Sequence, residues 1–324
     1  MLNSDLEVLQ AIVQWREAGS SVELVTLVNC WGSAPRPVGS IAAVRGDGAI
    51  VGSVSGGCIE KELSAILRKN NNARVVRHSV SREQAVRFGL PCGGDLELVF
   101  EKIEAATDIH EIINSLGERK RICRKVDFET GKVSLSAVDR NQEFLFDGNS
   151  LQKIFGPSWR LLLIGAGQLS RYVAEMGLAL DYEVLVCEPR SHFLDAWDVP
   201  GTTIDTRSPD EAVQALSSDP RSAVLALSHE PNLDDLALMR SLDSDAFYIG
   251  VLGSKKNNEV RRRRLVKTLD VNPYQLKRLH GPIGLDIGSQ APAEIAISIL
   301  AEVIAVRNNI DISGKEAILG SSSN

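Results

Sequence analysis

An apolar run that ends in a glycine turn constrains the fold of this chain more than any other feature. Residues 160–164 read Arg-Leu-Leu-Leu-Ile, as expected of a strand that is covered on both faces. Gly165-Ala166-Gly167 follows at once, and a helix is predicted over 168–180. Glycines in such a turn let backbone N–H groups approach a pyrophosphate, whose charge the helix N-terminus favours. The pattern therefore predicts the strand, turn and helix of a Rossmann fold.

An acid stands where this fold often holds a ribose hydroxyl. Glu188 follows the next predicted strand, residues 183–187, which is the usual place for that acid. The third glycine position of the turn holds Ser170 instead. Two interpretations are open: a dinucleotide-type ligand binds at the turn, or its glycines serve only the packing of helix against strand.

Strands and helices alternate in the second half of the chain, whereas short strands and turns dominate the first. Alternation with buried strands predicts a parallel sheet with helices on both faces. The pattern weakens between Asn141 and Pro157. We therefore predict an α/β protein with an N-terminal α+β domain over residues 1–150 and a C-terminal Rossmann-like domain over 151–324.

Two glycine-rich loops of the first half each adjoin a cysteine: Ser55-Gly56-Gly57-Cys58 and Pro91-Cys92-Gly93-Gly94. A helix that begins near Cys58 would place the thiol where unpaired amides and the helix dipole stabilise a thiolate. A thiolate can act as a nucleophile, a sulfur carrier or a soft metal ligand. The loops suggest one shared site. The alternatives are a small buried cysteine behind a tight turn and two unrelated turns.

Two loops near the ends of later predicted strands carry further candidates. Ser254 and Lys255 follow the predicted strand 246–250, where the strand ends of an open α/β sheet line a ligand crevice. The arginine run 261–264 is predicted to be a solvated helix face, since four consecutive residues point all around a helix. The glycine-rich loop 281–288 contains Asp286; it either approaches a ligand or packs tightly against another backbone.

Composition excludes some classes of partner. Lys and Arg number 36 against 42 Asp and Glu, a formal charge of −6, which argues against wholesale binding to nucleic acid or anionic membranes. No apolar run approaches the roughly 18 residues that span a bilayer, and no signal peptide is visible. The 5 cysteines are sparse and scattered, as suits a reducing compartment. We expect a cytoplasmic protein with no nucleic-acid or membrane partner.

Five motifs occur in a fixed order and together resemble the xanthine dehydrogenase accessory family, the XdhC/CoxI-type maturation factors. They are Gly52–Glu60, Pro91–Gly94, Gly165–Gly167, Tyr248–Ser254 and Pro282–Gly288, the last followed by Pro292–Ala296. The resemblance implies a molybdenum-cofactor chaperone that binds the cofactor as molybdopterin or as molybdopterin cytosine dinucleotide. Such a chaperone holds the cofactor while a cysteine desulfurase supplies a terminal sulfur. It then delivers the cofactor to an apo-oxidoreductase of the xanthine dehydrogenase or aldehyde oxidoreductase kind.

The resemblance also assigns site residues by motif position. Cys58 is the first candidate for contact with molybdenum or for relaying sulfur, and Cys92 is the second. This chain has Gln168 where the family usually has His. A homodimer is expected. The candidate cofactor-binding residues are Cys58, Cys92, Ser55, Gly56, Gly57, Gly93, Gly94, Gly165, Gly167, Gln168, Glu188, Arg190, Ser254 and Asp286.

Two other classes of function stay open from the sequence. An NAD(P)-dependent oxidoreductase is favoured by the glycine turn and by Glu188. Against it, no tyrosine has a lysine four residues on, so that common proton-transfer pair is absent. A protein scaffold that only docks a client is the third possibility. We expect a maturation chaperone rather than a turnover enzyme, with molybdenum cofactor rather than NAD(P) as its ligand.

Overall fold

The computed structural model of the chain describes residues 4–31, 36–56, 59, 63, 73–80, 94–138, 142–216, 219–269 and 271–310. The chain divides into two compact units, Leu2–Pro157 and Ser158–Asn324, the second together with Met1. This division falls later than the predicted one after residue 150. The reason is that Ser150–Phe155 is a strand that pairs with Ile122–Asp127 and so belongs to the first unit.

Antiparallel sheets form the N-terminal unit within the described residues. A five-stranded sheet has the order β3-β2-β1-β5-β4. Its strands are β1 (Val22–Trp31), β2 (Ile41–Arg45), β3 (Ile50–Gly52), β4 (Arg74–Val80) and β5 (Gly94–Lys102). A four-stranded sheet has the order β7-β6-β9-β8. Its strands are β6 (Ile122–Asp127), β7 (Val133–Ala137), β8 (Leu145–Phe146) and β9 (Ser150–Phe155). The predicted α+β class of this half is confirmed.

Two helices supply much of the apolar surface on which the N-terminal unit packs. Helix α1 (Ser4–Glu17) buries Val8, Leu9 and Ile12, which recur three and four residues apart as on one helix face. Helix α2 (Thr107–Gly117) buries Ile109, Ile112 and Leu116 in the same way. Both sets belong to one buried cluster. The sequence analysis predicted α1 but missed α2.

The C-terminal unit is a six-stranded sheet of order β12-β11-β10-β13-β14-β15, and all of its pairings are parallel. The strands are β10 (Arg160–Ile164), β11 (Glu183–Cys187), β12 (Thr203–Asp205), β13 (Ser222–Ala226), β14 (Tyr248–Val251) and β15 (Leu279–His280). The helices are α3 (Gln168–Ala179), α4 (Ser191–Leu194), α5 (Pro209–Gln214), α6 (Pro231–Leu242), α7 (Lys255–Leu269) and α8 (Pro292–Arg307). None of the helices that the structure describes could cross a membrane, given their length and polarity.

Strand β10 shows why its sequence is a continuous apolar run. Leu161 and Leu163 belong to the core under α3 and α8, whereas Leu162 and Ile164 belong to the core under α6. Successive side chains of a strand point to opposite faces, so a strand covered on both sides has no polar position. The predicted parallel sheet with helices on both faces is confirmed.

The order of the strands fixes where a ligand crevice can lie. The chain proceeds from β10 to β11 and β12 on one side, and β13 then begins on the other side of β10. Loops that leave adjacent strands in opposite directions open a crevice at their carboxyl ends. In this sheet the switch lies between β10 and β13, next to the glycine turn.

The arginine run of α7 corrects the sequence analysis, which predicted a solvated face. Arg261 is only 8% exposed and lies 3.4 Å from Asp234 and 3.2 Å from Asp235. Arg262 donates to carbonyl oxygens of the segment that ends in β15, and Arg264 pairs with Asp235. Only Arg263 of the four is exposed. The prediction was wrong because α6 and the segment before β15 supply acceptors on two sides of this helix.

Candidate functional site

The two glycines of the turn after β10 have different structural roles. Gly165 has a φ of +101°, and a Cβ atom there would lie 2.7 Å from Ser228 Cα in the loop after β13. That close approach at the switch point requires glycine. A Cβ atom on Gly167 would meet nothing within 4 Å. Gly165 therefore serves the packing of two loops, whereas Gly167 keeps open space above the turn.

Helix α3 begins directly at this open space. Gly167 is its N-cap residue and offers no side-chain hydrogen bond to the helix, and Gln168 is exposed. The first N–H groups of a helix lack intrahelical partners, and its dipole favours negative charge there. The turn therefore has the features of an anion-binding helix start.

Glu188 is turned toward this turn from the end of β11. Its side chain is 0% exposed. It accepts hydrogen bonds from the Ala166 N–H at 3.0 Å and from Arg190 Nε and Nη2 at 2.7 and 2.8 Å. Burial would raise the pKa of Glu188, but the hydrogen bonds from Arg190 and Ala166 outweigh it and the pKa is lowered. Both carboxylate oxygens are thus occupied by donors from the protein itself.

Arg190 joins the loops on either side of the turn. Besides Glu188, its guanidinium contacts the carboxylate of Glu230 through Nη1, in the loop before α6. The guanidinium carbon lies 4.0 Å from the ring centroid of Phe193, a distance typical of cation–π stacking. The Arg190 side chain is 19% exposed and that of Glu230 is 54% exposed.

A cavity of about 250 Å³ lies at the carboxyl ends of β13 and β14. His229, Leu252, Gly253 and Arg261 are among the residues that line it. His229 is exposed and has a φ of +62°, a left-handed conformation that is uncommon outside glycine. The arginine of the wall is already paired with carboxylates of α6, so the cavity has no clear excess of positive charge.

The structure brings the tips of the loops after β14 and β15 together. Ser254 Oγ accepts a hydrogen bond from the Asn257 N–H at the start of α7. The next residue, Lys255, has its Nζ 3.9 Å from an Asp286 carboxylate oxygen. Both members of this ion pair are exposed, and such a pair contributes little stability. Ser254 and Asp286 are therefore placed at one accessible edge of the sheet.

The glycine-rich loop 281–288 packs tightly at two of its glycines. A Cβ atom on Gly284, which has a φ of +93°, would lie 2.5 Å from Ser298 Oγ of α8. A Cβ atom on Gly281 would lie 2.4 Å from Asn258 Oδ1. Of the two interpretations that the sequence left open for this loop, tight packing applies at both positions.

A buried network that the sequence analysis missed holds this loop. Glu302 of α8 accepts hydrogen bonds from the Tyr248 hydroxyl at 2.5 Å and the Gly284 N–H at 2.6 Å, and His280 Nδ1 lies 2.8 Å from it. Burial raises the pKa of Tyr248 well above its usual value, and the charge of Glu302 adds to this. A glutamate within the apolar stretch Pro292–Arg307 was the signal that could have revealed it.

The described parts of the two cysteine loops show a fixed approach to them. The Gly56 N–H donates to Ser53 Oγ at 2.8 Å, and the Ile59 N–H donates to the buried Ser55 Oγ at 3.1 Å. Gly94 begins β5. The predictions on Gly57, Cys58, Cys92 and Gly93 lie outside the described residues. In the described part of the chain, no group of three or more metal-ligating side chains is arranged to hold an ion.

Cys187 at the end of β11 is expected to resist alkylation in the folded protein. It is fully buried, and burial, reinforced by the charges of Asp205 and Glu188, raises its pKa to about 12. Only the thiolate reacts, so at pH 8 iodoacetamide should modify Cys187 at least about a hundredfold more slowly than in the unfolded chain. Peptide mass mapping measures this, with the half-buried Cys30 as the internal comparison. Equal rates for the two cysteines would contradict it.

Comparisons with known proteins agree with this geometry. Residues 15–79 match the family model described as the XdhC and CoxI family, and residues 161–303 match the XdhC Rossmann domain. The molybdenum cofactor insertion chaperone PaoD of Escherichia coli (strain K12) is 27% identical over 310 residues, which cover 93% of this chain and 88% of that protein. A probable xanthine dehydrogenase subunit of Bacillus subtilis (strain 168) is 23% identical over 319 residues, covering 89% and 94%.

A solved structure shares the fold. A protein described as a xanthine dehydrogenase from Bacillus halodurans matches with a TM-score of 0.74 at 22% identity, covering 95% of this chain and 98% of that one. At this identity the likeness is evidence for the fold alone.

Proposed function

We propose that this chain, which belongs to the XdhC and CoxI family, is a maturation chaperone for a molybdoenzyme. It binds molybdenum cofactor, holds it during sulfuration and inserts it into an apo-enzyme of the xanthine dehydrogenase or aldehyde oxidoreductase type. The observation that carries the proposal is the similarity to an insertion chaperone over 93% of the chain. The chain acts as a carrier and not as a turnover enzyme.

The geometry of the C-terminal unit supports this cargo. Either form of the cofactor, molybdopterin or molybdopterin cytosine dinucleotide, carries phosphate. The uncapped start of α3 and the open space at Gly167 suit a phosphate that is bound by backbone N–H groups. Ser254 and Asp286 stand at the same carboxyl edge of the sheet and complete the proposed contacts there.

The cysteines of the N-terminal unit suit the other end of the cargo. Molybdenum with sulfur ligands is a soft centre that thiolates bind well. Cys58 is proposed to contact the metal or relay sulfur, with Cys92 second. A cysteine desulfurase is the proposed source of the sulfur, and the chain is proposed to act as a homodimer in the cytoplasm.

A nicotinamide-dependent oxidoreductase is the alternative, and the parallel sheet with its glycine turn favours it. The orientation of Glu188 speaks against it, because the acid that would hold a ribose is occupied by Ala166 and Arg190. Calorimetry with NAD, NADP and molybdopterin separates the two functions. Tight nicotinamide binding without molybdopterin binding would favour the oxidoreductase.

Replacing Cys58 with alanine is expected to lower both cofactor retention and activation of a client apo-enzyme by about tenfold or more, equivalent to roughly 1.4 kcal/mol of binding free energy or more. Cys92→Ala should have a smaller effect in the same direction. The matched control is Cys123→Ala, since Cys123 is buried in β6 and outside the proposed site. Values for Cys58→Ala that equal those of the control would remove Cys58 from the site.

A further inference from the structure

The two carboxylates that hold Arg190 differ in how firmly they are fixed. Glu188 is fully buried and takes two guanidinium nitrogens of Arg190 as well as the Ala166 N–H. Glu230 takes only Nη1 and is 54% exposed. Exposed ion pairs contribute little stability, so the bond to Glu230 is exchanged at small cost, whereas the bond to Glu188 is not.

Arg190 is fixed beside the glycine turn in a defined orientation. Glu188 bonds both Arg190 and Ala166, and Ala166 lies between the two glycines of the turn. Phe193 stacks on the guanidinium plane. One nitrogen of the fork therefore faces the exposed side of the loops without rearrangement of the side chain. A preoriented guanidinium is the group best suited to bind phosphate oxygens.

We propose that Arg190 anchors a phosphate of the ligand above the glycine turn, and that Glu230 occupies the place of this phosphate in the free protein. On binding, a phosphate oxygen replaces the Glu230 carboxylate at Nη1, and other oxygens accept from the first N–H groups of α3. Glu188 then serves to orient Arg190 rather than to hold a ribose. The identity of the ligand as a phosphorylated pterin rests on the proposed function; the phosphate site does not.

This arrangement also accounts for selection among phosphorylated ligands. A nicotinamide dinucleotide gains part of its affinity from an acid at the position of Glu188. Here that acid is committed to Arg190 and the turn. A ligand recognised through its phosphate alone is favoured over one that needs its ribose bound, so NAD should bind no more tightly than inorganic diphosphate.

Inorganic diphosphate, titrated calorimetrically into the full chain, tests the proposal. Glu230→Gln removes the competing charge and is expected to bind diphosphate about fivefold more tightly than the wild type, whereas Arg190→Ala should bind it at least about tenfold more weakly. The matched control is Glu183→Gln, because Glu183 pairs with Arg160 through two bonds of 3.0 Å at the amino end of the sheet. The control should bind like the wild type.

Arg190→Ala leaves the buried Glu188 with fewer donors and can reduce stability, so Glu230→Gln carries the test by itself. Unchanged or weaker diphosphate affinity in Glu230→Gln would overturn the proposal, and so would a wild type that binds no diphosphate. Cofactor binding and client activation, measured on the wild type in parallel, separate the two claims. A wild type that binds cofactor while Glu230→Gln shows no gain refutes only the Arg190 site. The expected diphosphate pattern without cofactor binding refutes only the chaperone function.

Discussion

Replacing Glu302 with alanine is expected to lower the free energy of unfolding of the C-terminal unit by about 4 kcal/mol. The side chain of Glu302 is 9% exposed and is the common partner of Tyr248, His280 and Gly284. Its removal leaves these groups without their acceptor in a buried region, and each unsatisfied buried donor costs about 1–3 kcal/mol. The substitution also opens a cavity beside β14.

Hydrogen exchange measured by mass spectrometry on peptides of β14 and α8 is the suitable measurement, because it reports on one unit of a two-unit chain. Glu294→Ala is the matched control. Glu294 is an exposed glutamate of the same helix that accepts from the Gln290 and Ala291 N–H groups, so its loss should cost about 1 kcal/mol. A Glu302 variant no less stable than the control would show that the network is not structural.

The effect of Glu302 should also depend on pH. Burial would raise the pKa of Glu302, but the hydrogen bonds from His280, Tyr248 and the Gly284 N–H outweigh it and the pKa is lowered. A carboxyl whose pKa is lower in the folded protein stabilises the fold above its unfolded pKa of about 4.3, and this contribution is lost as the pH falls through the folded pKa. The difference between wild type and Glu302→Ala should therefore shrink in acid.

Gly165→Ala and Gly167→Ala are expected to have opposite consequences. At Gly165 the φ of +101° and the overlap with the backbone of Ser228 should cost about 3 kcal/mol of stability. At Gly167 a methyl group meets nothing within 4 Å, so stability should change by less than about 0.5 kcal/mol. The methyl group would nevertheless stand in the space that we assign to the phosphate, and binding should fall.

Thermal unfolding and cofactor retention, measured on both variants, check this pair. Gly167→Ala with wild-type stability and wild-type retention would mean that the ligand does not approach the turn. A Gly165→Ala variant as stable as the wild type would mean that the loops after β10 and β13 are not in contact. Each glycine thus serves as the control for the other.

The C-terminal fold could be predicted because its signals are local. The apolar run of β10, the glycine turn and the alternation of strands with helices each follow from neighbouring residues. Helix α2 could have been predicted on the same grounds, since Ile109, Ile112 and Leu116 recur at helical spacing. Its start is less clearly marked, because the N-cap residue Ala106 has no side chain that could cap the helix.

The orientations of charged groups could not be predicted, because their partners are distant in sequence. Arg261 is buried by carboxylates of α6, another helix, and not by any residue of its own turn. Glu188 has the position of a ribose-binding acid, but Arg190 and Ala166 turn it inward. Glu302 depends on Tyr248 and on the loop after β15, which only the sheet order brings to α8.

The most direct test of the central claim is mass spectrometry of the small molecule that remains bound when the full chain is purified from cells that make molybdenum cofactor. The account predicts a molybdopterin, with or without a nucleotide, and its loss from the Cys58→Ala variant. A nicotinamide dinucleotide in its place, or a chain that stays empty when purified molybdenum cofactor is offered, would contradict the account.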